Sequence, residues 1–254
     1  KTSRNGLRVG DILDNFQEKY EAHKSRHLDM LKALHFTDFD LEETEKHWME
    51  GIEYLKQFNI VDSEHEINHL LREQKSILCE GAQGTMLDID FGSYPFVTSS
   101  NTICAGACIG LGLGPNKIGN VYGIMKAYCT RVGSGPFPTE LFDEDGKKLR
   151  DIGHEYGAVT GRERRCGWVD LIQLRYSIMV NGVTHLILMK SDVLDQFKTI
   201  KACVGYELKD GTQTKELPYD LEGVNPIYQE LQGWHTDLTK MTNEEEFPQQ
   251  FKDY

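Results

Sequence analysis

The sequence predicts an α/β protein with a mainly parallel sheet flanked by helices and a helical elaboration at its N-terminal side. Two observations predict this class. From residue 76 onward, apolar runs of strand length alternate with helical patterns and end in Gly-rich or polar loops. Before that point, residues 11–73 carry apolar side chains at helical spacing among many charges. We therefore expect a mainly helical subregion at 1–75 and an α/β region at 76–254, within one continuous domain.

The helical subregion is predicted from apolar residues that recur once per helical turn. Ile12, Phe16 and Tyr20 are spaced so that their side chains lie along one side of a helix. The spacing continues with Leu31, Leu34, Trp48, Ile52 and Leu55.

The α/β region is predicted from three apolar runs. These are SILC before EGAQG, VYGIM before KAYCTRVGSGPFP, and THLILM before KSD. A helical pattern runs from Trp168 to Val180, and a hairpin is expected at Asp210-Gly211 between TIKACVGYEL and TQTKELP. Because ligands of parallel sheets bind at the carboxyl ends of the strands, the loops after the three runs are the candidate binding loops.

Composition excludes several classes of function. The net charge of -12 argues against a nucleic-acid partner, which requires a basic face. Six cysteines are spread along the chain without a disulfide-rich pattern, which indicates reduced thiols and a cytoplasmic protein. The longest apolar stretch, ICAGACIGLGLG, is shorter than the roughly 18 residues that a membrane helix needs.

One short motif suggests a metal site. His65-Glu66-Ile67-Asn68-His69 fits the H-E-x-x-H pattern of zinc hydrolases, in which two histidines lie one helical turn apart. A zinc hydrolase that uses His65, Glu66 and His69 is therefore an alternative function. No third ligand follows at a recognisable spacing, and a solvated helix face explains the same residues.

The segment EGAQGTMLDIDFGSYPFVTSSN has the composition of a ligand-binding loop. It is dense in Gly, Ser and Thr, and Gln83 and Thr98 offer neutral hydrogen-bonding groups. It lacks the lysine that a phosphate-binding loop would require. The sequence therefore predicts a binding loop for a ligand approached through neutral groups.

The segment GAVTGRERRCGW concentrates positive charge beside flexible residues. Arg162, Arg164 and Arg165 follow Gly157 and Gly161. Forked guanidinium groups on a mobile loop suit the binding of carboxylates and phosphates. The alternative is an exposed basic helix end.

The segment Lys190-Ser191-Asp192 directly follows THLILM. At the end of a strand, a carboxylate can accept hydrogen bonds from the ring N–H and the exocyclic amine of guanine, while a lysine stem lies along the base. The pattern therefore suggests guanine recognition, and a plain strand-end turn is the alternative.

Several long segments together resemble the adenylosuccinate synthetase family. They cover most of the chain: NGLRVGDILDNF, EGAQGTMLDIDFGSYPFVTSSN, CTRVGSGPFPTE, GAVTGRERRCGW and KSDVLD. The resemblance implies a nucleotide-binding region at 76–254 with a P-loop NTPase-like architecture that lacks its P-loop. It also implies a GTP-dependent C–N ligase of purine nucleotide biosynthesis, which joins L-aspartate to inosine monophosphate (IMP) through a 6-phosphoryl intermediate. Family members are cytoplasmic homodimers that use Mg²⁺.

The resemblance also implies roles for individual residues. Those matching the IMP site are Arg4, Gln83, Thr98 and Arg162. Arg4 matches an arginine given across the dimer interface to the 5'-phosphate of the partner's nucleotide. The loop that closes over aspartate matches Ala158, Val159, Thr160, Gly161, Arg162, Glu163 and Arg164. Those matching the GTP site are Arg164, Lys190, Ser191 and Asp192.

The chain departs from the family pattern in one respect. The family's Gly-rich phosphate loop, with its catalytic aspartate and histidine, has no counterpart here, and the sequence ends before the second guanine-contacting segment. We therefore expect a fragment of a longer chain that is inactive alone, with no catalytic residue and no metal ligand of its own. The Mg²⁺ ligands would lie outside it. A non-catalytic acidic interaction module is the remaining alternative.

Overall fold

The computed structural model describes residues 4–159 and 161–254. The chain forms two compact units, one ending at Ser76 and the other beginning at Ile77. The first unit is built from helices, and the second contains the strands together with further helices.

Among the described residues up to Ser76, the first unit contains three helices after a 3₁₀ turn at Val9–Ile12. They are α1 (Phe16–Ala33), α2 (Leu41–Leu55) and α3 (Ser63–Arg72). The helical spacing read from the sequence is confirmed for Phe16 to Leu31 in α1 and for Trp48 to Leu55 in α2, whereas Ile12 lies in the 3₁₀ turn and Leu34 directly follows α1. Helix α2 begins at a capped position, because the Asp40 carboxylate accepts a hydrogen bond from the Glu43 N–H at 3.0 Å.

Aromatic stacking joins α1 to α2. The Trp48 ring lies 5.7 Å from the Phe16 ring and 5.0 Å from the Tyr20 ring, between centroids. Beside this stack, the Tyr20 hydroxyl and the Lys24 ammonium donate to the Glu45 carboxylate at 2.8 and 2.7 Å. The apolar positions predicted at helical spacing therefore face one another between two helices.

The second unit is of the α/β class, as predicted. Its helices are α4 (Ala105–Leu111), α5 (Glu144–Gly153), α6 (Leu171–Asn181) and α7 (Gln249–Asp253). Its strands are β1 (Tyr122–Lys126), β2 (Cys129–Arg131), β3 (Arg165–Gly167), β4 (Val169–Asp170), β5 (His185–Met189), β6 (Thr199–Glu207), β7 (Gln213–Thr214) and β8 (Asn225–Gln232). Its 3₁₀ turns are Thr85–Leu87, Pro115–Lys117, Ser191–Leu194, Leu238–Lys240 and Glu244–Glu246.

The strand pairings are mixed. Strand β1 pairs in parallel with β5, and β4 pairs in parallel with β6. Strands β7 and β8 are antiparallel to β6, and β2 is antiparallel to β3. The predicted hairpin is confirmed: Tyr206 of β6 pairs with Thr214 of β7 across a turn in which Gly211 has a positive φ of 82°.

The main core of this unit surrounds two aromatic residues that pack edge to face. The rings of Trp168 and Phe197 are 5.5 Å apart between centroids, and both side chains are buried. The cluster also contains Ala127, Tyr128, Leu149, Cys166, Val193, Leu194, Ile200, Trp234 and Leu238. Since Tyr128 lies between β1 and β2 and Val193 lies in the turn that carries Ser191 and Asp192, this core fixes the position of both segments.

Two predicted elements are wrong. SILC forms no strand: residues 76–79 have no ladder partner within the described residues, and Leu78 is 88% exposed. An apolar run becomes a strand only where a neighbour accepts its hydrogen bonds. The predicted helix at Trp168 begins instead at Leu171, because β4 pairs with β6 and the Asp170 carboxylate then caps α6, accepting from the Ile172 N–H at 3.0 Å.

The apolar stretch ICAGACIGLGLG contains α4. Within residues 4–159 and 161–254, no helix combines the length and the apolar character required to cross a membrane.

Candidate functional site

The ends of two neighbouring strands bring two lysines together. Strands β1 and β5 are parallel, and Lys126, the last residue of β1, pairs with Met189, the last residue of β5. Lys190 follows with a left-handed backbone (φ 60°, ψ 31°), which turns the chain out of the strand. Both ammonium groups then reach the same carboxylate, that of Glu155, at 2.8 Å.

Glu155 is the centre of a buried polar cluster. Its Oε1 accepts hydrogen bonds from the Tyr128 hydroxyl at 2.5 Å and from Lys126 and Lys190 at 2.8 Å. Its Oε2 accepts from Nη1 of Arg164 at 2.7 Å, and the Glu155 side chain has 0% exposure. We call Lys126, Tyr128, Glu155, Arg164 and Lys190 the Glu155 centre.

The Glu155 carboxylate is ionised at neutral pH. Burial by itself raises the pKa of Glu155, but hydrogen bonds from Lys126, Lys190, Tyr128 and Arg164 outweigh it and lower this pKa to about 2. Burial, followed by the hydrogen bond to Glu155, raises the pKa of Tyr128, so its hydroxyl remains a donor. Three cations around one carboxylate leave the centre with an excess of positive charge, which favours a bound anion.

The segment that carries the arginines forms a loop closed on itself by backbone hydrogen bonds. The Gly157 N–H donates to the Arg162 carbonyl at 2.8 Å, and the Gly161 N–H donates to the Gly157 carbonyl at 2.8 Å. Gly161 has a positive φ of 64°, a backbone conformation that glycine adopts without strain. The side chain of Val159 is 98% exposed. Ala158, Arg162 and Glu163 are also exposed, and Thr160 lies outside the described residues.

Two arginines of this segment bind different carboxylates. Arg164 binds Glu155, while Arg165 pairs with Glu140, with 2.7 Å between Nε of Arg165 and Oε1 of Glu140. Arg165 also donates through Nη1 to the carbonyls of Gly133 and Gly135 at 3.1 and 2.9 Å. The segment is not a helix end, since Arg165 begins strand β3. Arg165 therefore orders the neighbouring VGSGPFP loop.

The predicted binding loop brings Gln83 and Thr98 together. Nε2 of Gln83 donates to Oγ1 of Thr98 at 3.2 Å. The loop is closed by the buried carboxylate of Asp88. This carboxylate accepts hydrogen bonds from backbone N–H groups in the middle of the loop, Asp90 at 2.9 Å and Phe91 at 3.1 Å, and just past its end, Thr102 at 2.6 Å and Ile103 at 3.2 Å.

Arg131 connects this loop to β2. Its Nη1 donates to Oγ of Ser93 at 3.1 Å, and its Nη2 donates to the Phe96 carbonyl at 3.1 Å. Since β2 also pairs with β3, which follows the arginine loop, the two candidate loops are joined by one antiparallel strand pair.

Ser191 and Asp192 lie in the 3₁₀ turn after Lys190. The Asp192 side chain is exposed, whereas Val193 and Leu194 are buried in the core and hold the turn in place. The backbone carbonyl of Asp192 accepts the Asp195 N–H at 3.1 Å. The segment is thus a strand-end turn that presents a carboxylate to solvent.

The H-E-x-x-H motif lies on α3. His65 and Glu66 are exposed, and Nε2 of His69 is 3.3 Å from Oε1 of Glu73. In the part of the chain that the structure describes, no group of three or more His, Cys, Asp or Glu side chains could hold a metal ion. The structure therefore offers no support for a zinc hydrolase.

Sequence reasoning overlooked the residues that organise the site. Glu155 directly precedes Tyr156-Gly157, two residues before the arginine-rich segment. A cluster of cations that is to be held in place needs a counter-ion, and the nearest acidic residue upstream of that segment was the available signal. For Asp88, the signal was an acid inside a Gly/Ser/Thr-rich loop, where it can accept backbone N–H groups.

The fold and the site define an α/β protein in which basic residues at adjacent strand ends surround a buried carboxylate. Comparison with known proteins gives the family: the adenylosuccinate synthetase model matches residues 1–254, and the chain belongs to this family. It is 72% identical to adenylosuccinate synthetase from Phocaeicola vulgatus and 68% identical to that from Bacteroides thetaiotaomicron, in both cases over the whole of this chain and 60% of the relative. The chain thus spans about 60% of the length of these relatives.

A solved structure shows the same fold. The "fully ligated" adenylosuccinate synthetase from Plasmodium falciparum superposes with a TM-score of 0.90 at 36% sequence identity. The match covers 99% of this chain and 60% of that one.

Proposed function

We propose that these 254 residues form part of a GTP-dependent C–N ligase, an adenylosuccinate synthetase of purine nucleotide biosynthesis. The enzyme would join L-aspartate to IMP in the cytoplasm, through phosphorylation of the 6-oxygen of IMP. The observation that carries the proposal is the Glu155 centre, in a chain of this family. It joins Arg164, from the predicted aspartate loop, to Lys190, from the predicted guanine-binding segment.

IMP is proposed to bind at Gln83, Thr98 and Arg162, together with Arg4 of a partner subunit. The hydrogen bond between Gln83 and Thr98 supports this assignment, since it places two neutral polar groups side by side in one loop. Neutral groups of this kind can recognise the sugar or the base of a nucleotide by donating and accepting hydrogen bonds.

Aspartate is proposed to bind at the loop of residues 158–164. Its two carboxylates require cations, and the forked guanidinium groups of Arg162 and Arg164 can each bind one. GTP is proposed to bind through Arg164, Lys190, Ser191 and Asp192, with Asp192 reading the guanine edge. The exposed position of Asp192 supports this role, because a ligand can reach its carboxylate.

Magnesium belongs to the proposed reaction, but the described residues do not fit it. Mg²⁺ prefers an octahedral shell of oxygen ligands, and within residues 4–159 and 161–254 no cluster of three acidic or other metal-binding side chains is found.

The test is a chimera in which these residues replace the matching segment of the longer Phocaeicola vulgatus relative. We expect it to form adenylosuccinate from IMP and aspartate only when GTP and Mg²⁺ are present. A chimera that folds, binds none of the three substrates and forms no product would contradict the proposal. The 254-residue chain alone is expected to show no turnover, because phosphoryl transfer depends on a phosphate loop and metal ions. Activity near that of the relative would overturn this expectation.

A further inference from the structure

The Glu155 centre connects two segments for which different ligands are proposed. Arg164 is the last residue of the loop at 158–164, and Lys190 immediately precedes the turn that carries Asp192. Both side chains are fixed by the same carboxylate, at 2.7 Å from Oε2 and 2.8 Å from Oε1 of Glu155. Any displacement of that carboxylate therefore moves both cations.

The carboxylate itself is not accessible to a ligand. Glu155 has 0% exposure, while the side chains of Arg164 and Lys190 are 33% and 32% exposed. Each cation thus has one side against Glu155 and another toward solvent. This is the arrangement of a buried orienting group behind two groups that contact a ligand.

The remaining contacts fix Glu155 in turn. The Tyr128 hydroxyl and Lys126 hold Oε1, and the Tyr128 ring lies under both lysines, 5.8 Å from the ammonium of Lys126 and 5.9 Å from that of Lys190. The backbone N–H of Arg164 also donates to the carbonyl of Glu155 at 2.9 Å. The carboxylate therefore has little freedom to follow a displaced partner.

We propose that Glu155 is a positioning residue that orients Arg164 and Lys190 together and so couples the aspartate subsite to the GTP subsite. This inference rests on the proposed function. Its consequence is that loss of the carboxylate weakens aspartate and GTP together and changes IMP binding much less, because Gln83 and Thr98, two of the residues proposed for IMP, hydrogen-bond to each other in a separate loop. A merely structural role would weaken all three ligands to a similar extent.

The experiment is Glu155→Gln in the chimera, with KM measured for each substrate and the melting temperature measured in parallel. Loss of one charge-assisted hydrogen bond changes affinity by about tenfold or more. We expect KM to rise about tenfold for both aspartate and GTP, with KM for IMP within about twofold of the parent. An equal rise for all three, or no rise for aspartate and GTP, would overturn the inference.

A matched control is available in the neighbouring ion pair. Glu140→Gln removes the carboxylate that binds Arg165. Arg165 is adjacent to Arg164 in sequence, but its partners are Glu140 and backbone carbonyls and do not include Glu155. We expect this variant to lower the melting temperature without a joint rise in KM for aspartate and GTP. If it produces the same joint rise, the effect is not specific to Glu155 and the inference fails.

A second variant tests the positioning role of Glu155 if Glu155→Gln does not fold. Glu155→Asp keeps the charge, but its side chain is one methylene shorter and cannot reach Lys190 and Arg164 with the same geometry. KM for aspartate and GTP should again rise together, by a few-fold, and unchanged values would overturn the inference. An inactive parent chimera would instead count against the proposed function itself, so the two failures are distinguishable.

Discussion

The ammonium of Lys190 lies 2.8 Å from Oε1 of Glu155, although 35 residues separate the two along the chain. Lys190 directly follows β5, and Glu155 follows α5 after His154, whose φ is 50°. The contact exists because β1 and β5 are parallel and end at the same edge, where the buried Tyr128 supports both lysines.

Loss of the Glu155 charge should change the pH dependence of stability. The pKa of Glu155 is lowered from 4.5 to about 2, a difference worth roughly 3 kcal/mol. Since the folded-state pKa is the lower one, this contribution is complete above pH 4.5 and is lost as the pH falls toward 2. In urea unfolding of the 254-residue chain, Glu155→Gln should therefore be less stable at neutral pH, and the difference should shrink in acid. Glu245→Gln, at an exposed position, is the control; a pH-independent gap for Glu155→Gln would contradict the prediction.

The Asp88 carboxylate should determine the geometry of the predicted IMP loop. Asp88→Asn replaces one acceptor oxygen with a donor that faces backbone N–H groups from the middle of the loop and from just past its end. Leaving such donors unpaired costs about 1–3 kcal/mol each. We expect KM for IMP in the chimera to rise about tenfold, and calorimetry should report weaker IMP binding. Asp90→Asn, whose carboxylate is exposed and accepts from Asn101, should have little effect. An unchanged KM for Asp88→Asn would show that the loop does not bind IMP.

Arg162 should act mainly on aspartate. Arg162→Leu removes an exposed guanidinium from the loop closed by Gly157 and Gly161. Loss of a bidentate, charge-assisted contact should reduce kcat/KM for aspartate by about 10- to 150-fold, and by less for GTP. Arg162→Lys keeps the positive charge but loses the forked geometry of the guanidinium. Its kcat/KM for aspartate should therefore lie between those of the parent and of Arg162→Leu. Steady-state kinetics of the chimera decide the question, and unchanged values for aspartate would remove Arg162 from the site.

Asp192 should select the nucleoside triphosphate. Its carboxylate can accept from both N1–H and the 2-amino group of guanine, and sites that lose such pairing discriminate by about 10⁴-fold. Asp192→Asn presents a donor that suits the 2-oxygen of xanthine. We expect lower efficiency with GTP and a gain with xanthosine triphosphate. Asp195→Asn is the matched control, because Asp195 accepts from the Trp234 indole at 2.6 Å and has a structural role. Retained preference for GTP would leave residues 190–192 as a strand-end turn only.

Arg4 should serve the site of a partner subunit. If it does, mixing an Arg4→Leu chimera with an Arg162→Leu chimera should form hybrid dimers in which one of the two sites carries both arginines. A fraction of the parent activity should then return in the mixture, while each variant alone remains impaired. The control is a mixture in which both chains carry both changes. Absence of rescue, with hybrid dimers demonstrated by mass spectrometry, would argue against a shared site.

The sequence by itself determined the α/β class, the helices of the first unit, the strands at VYGIM and THLILM, and the hairpin at Asp210-Gly211. These features follow from local periodicity and turn chemistry, which a chain carries in the order of its residues. The family also followed from the sequence, because several long motifs occur together and in order along the chain.

Only the tertiary structure decided what the site is built around. SILC has the composition of a strand but no ladder partner, and Trp168 precedes its helix because β4 pairs with β6. Arg164 and Arg165 are adjacent in sequence, yet one binds Glu155 and the other Glu140. Glu155 does not belong to any of the sequence motifs that indicated the site. Its role arises because two parallel strands and a closed loop converge on one buried point, where a carboxylate surrounded by three cations remains charged.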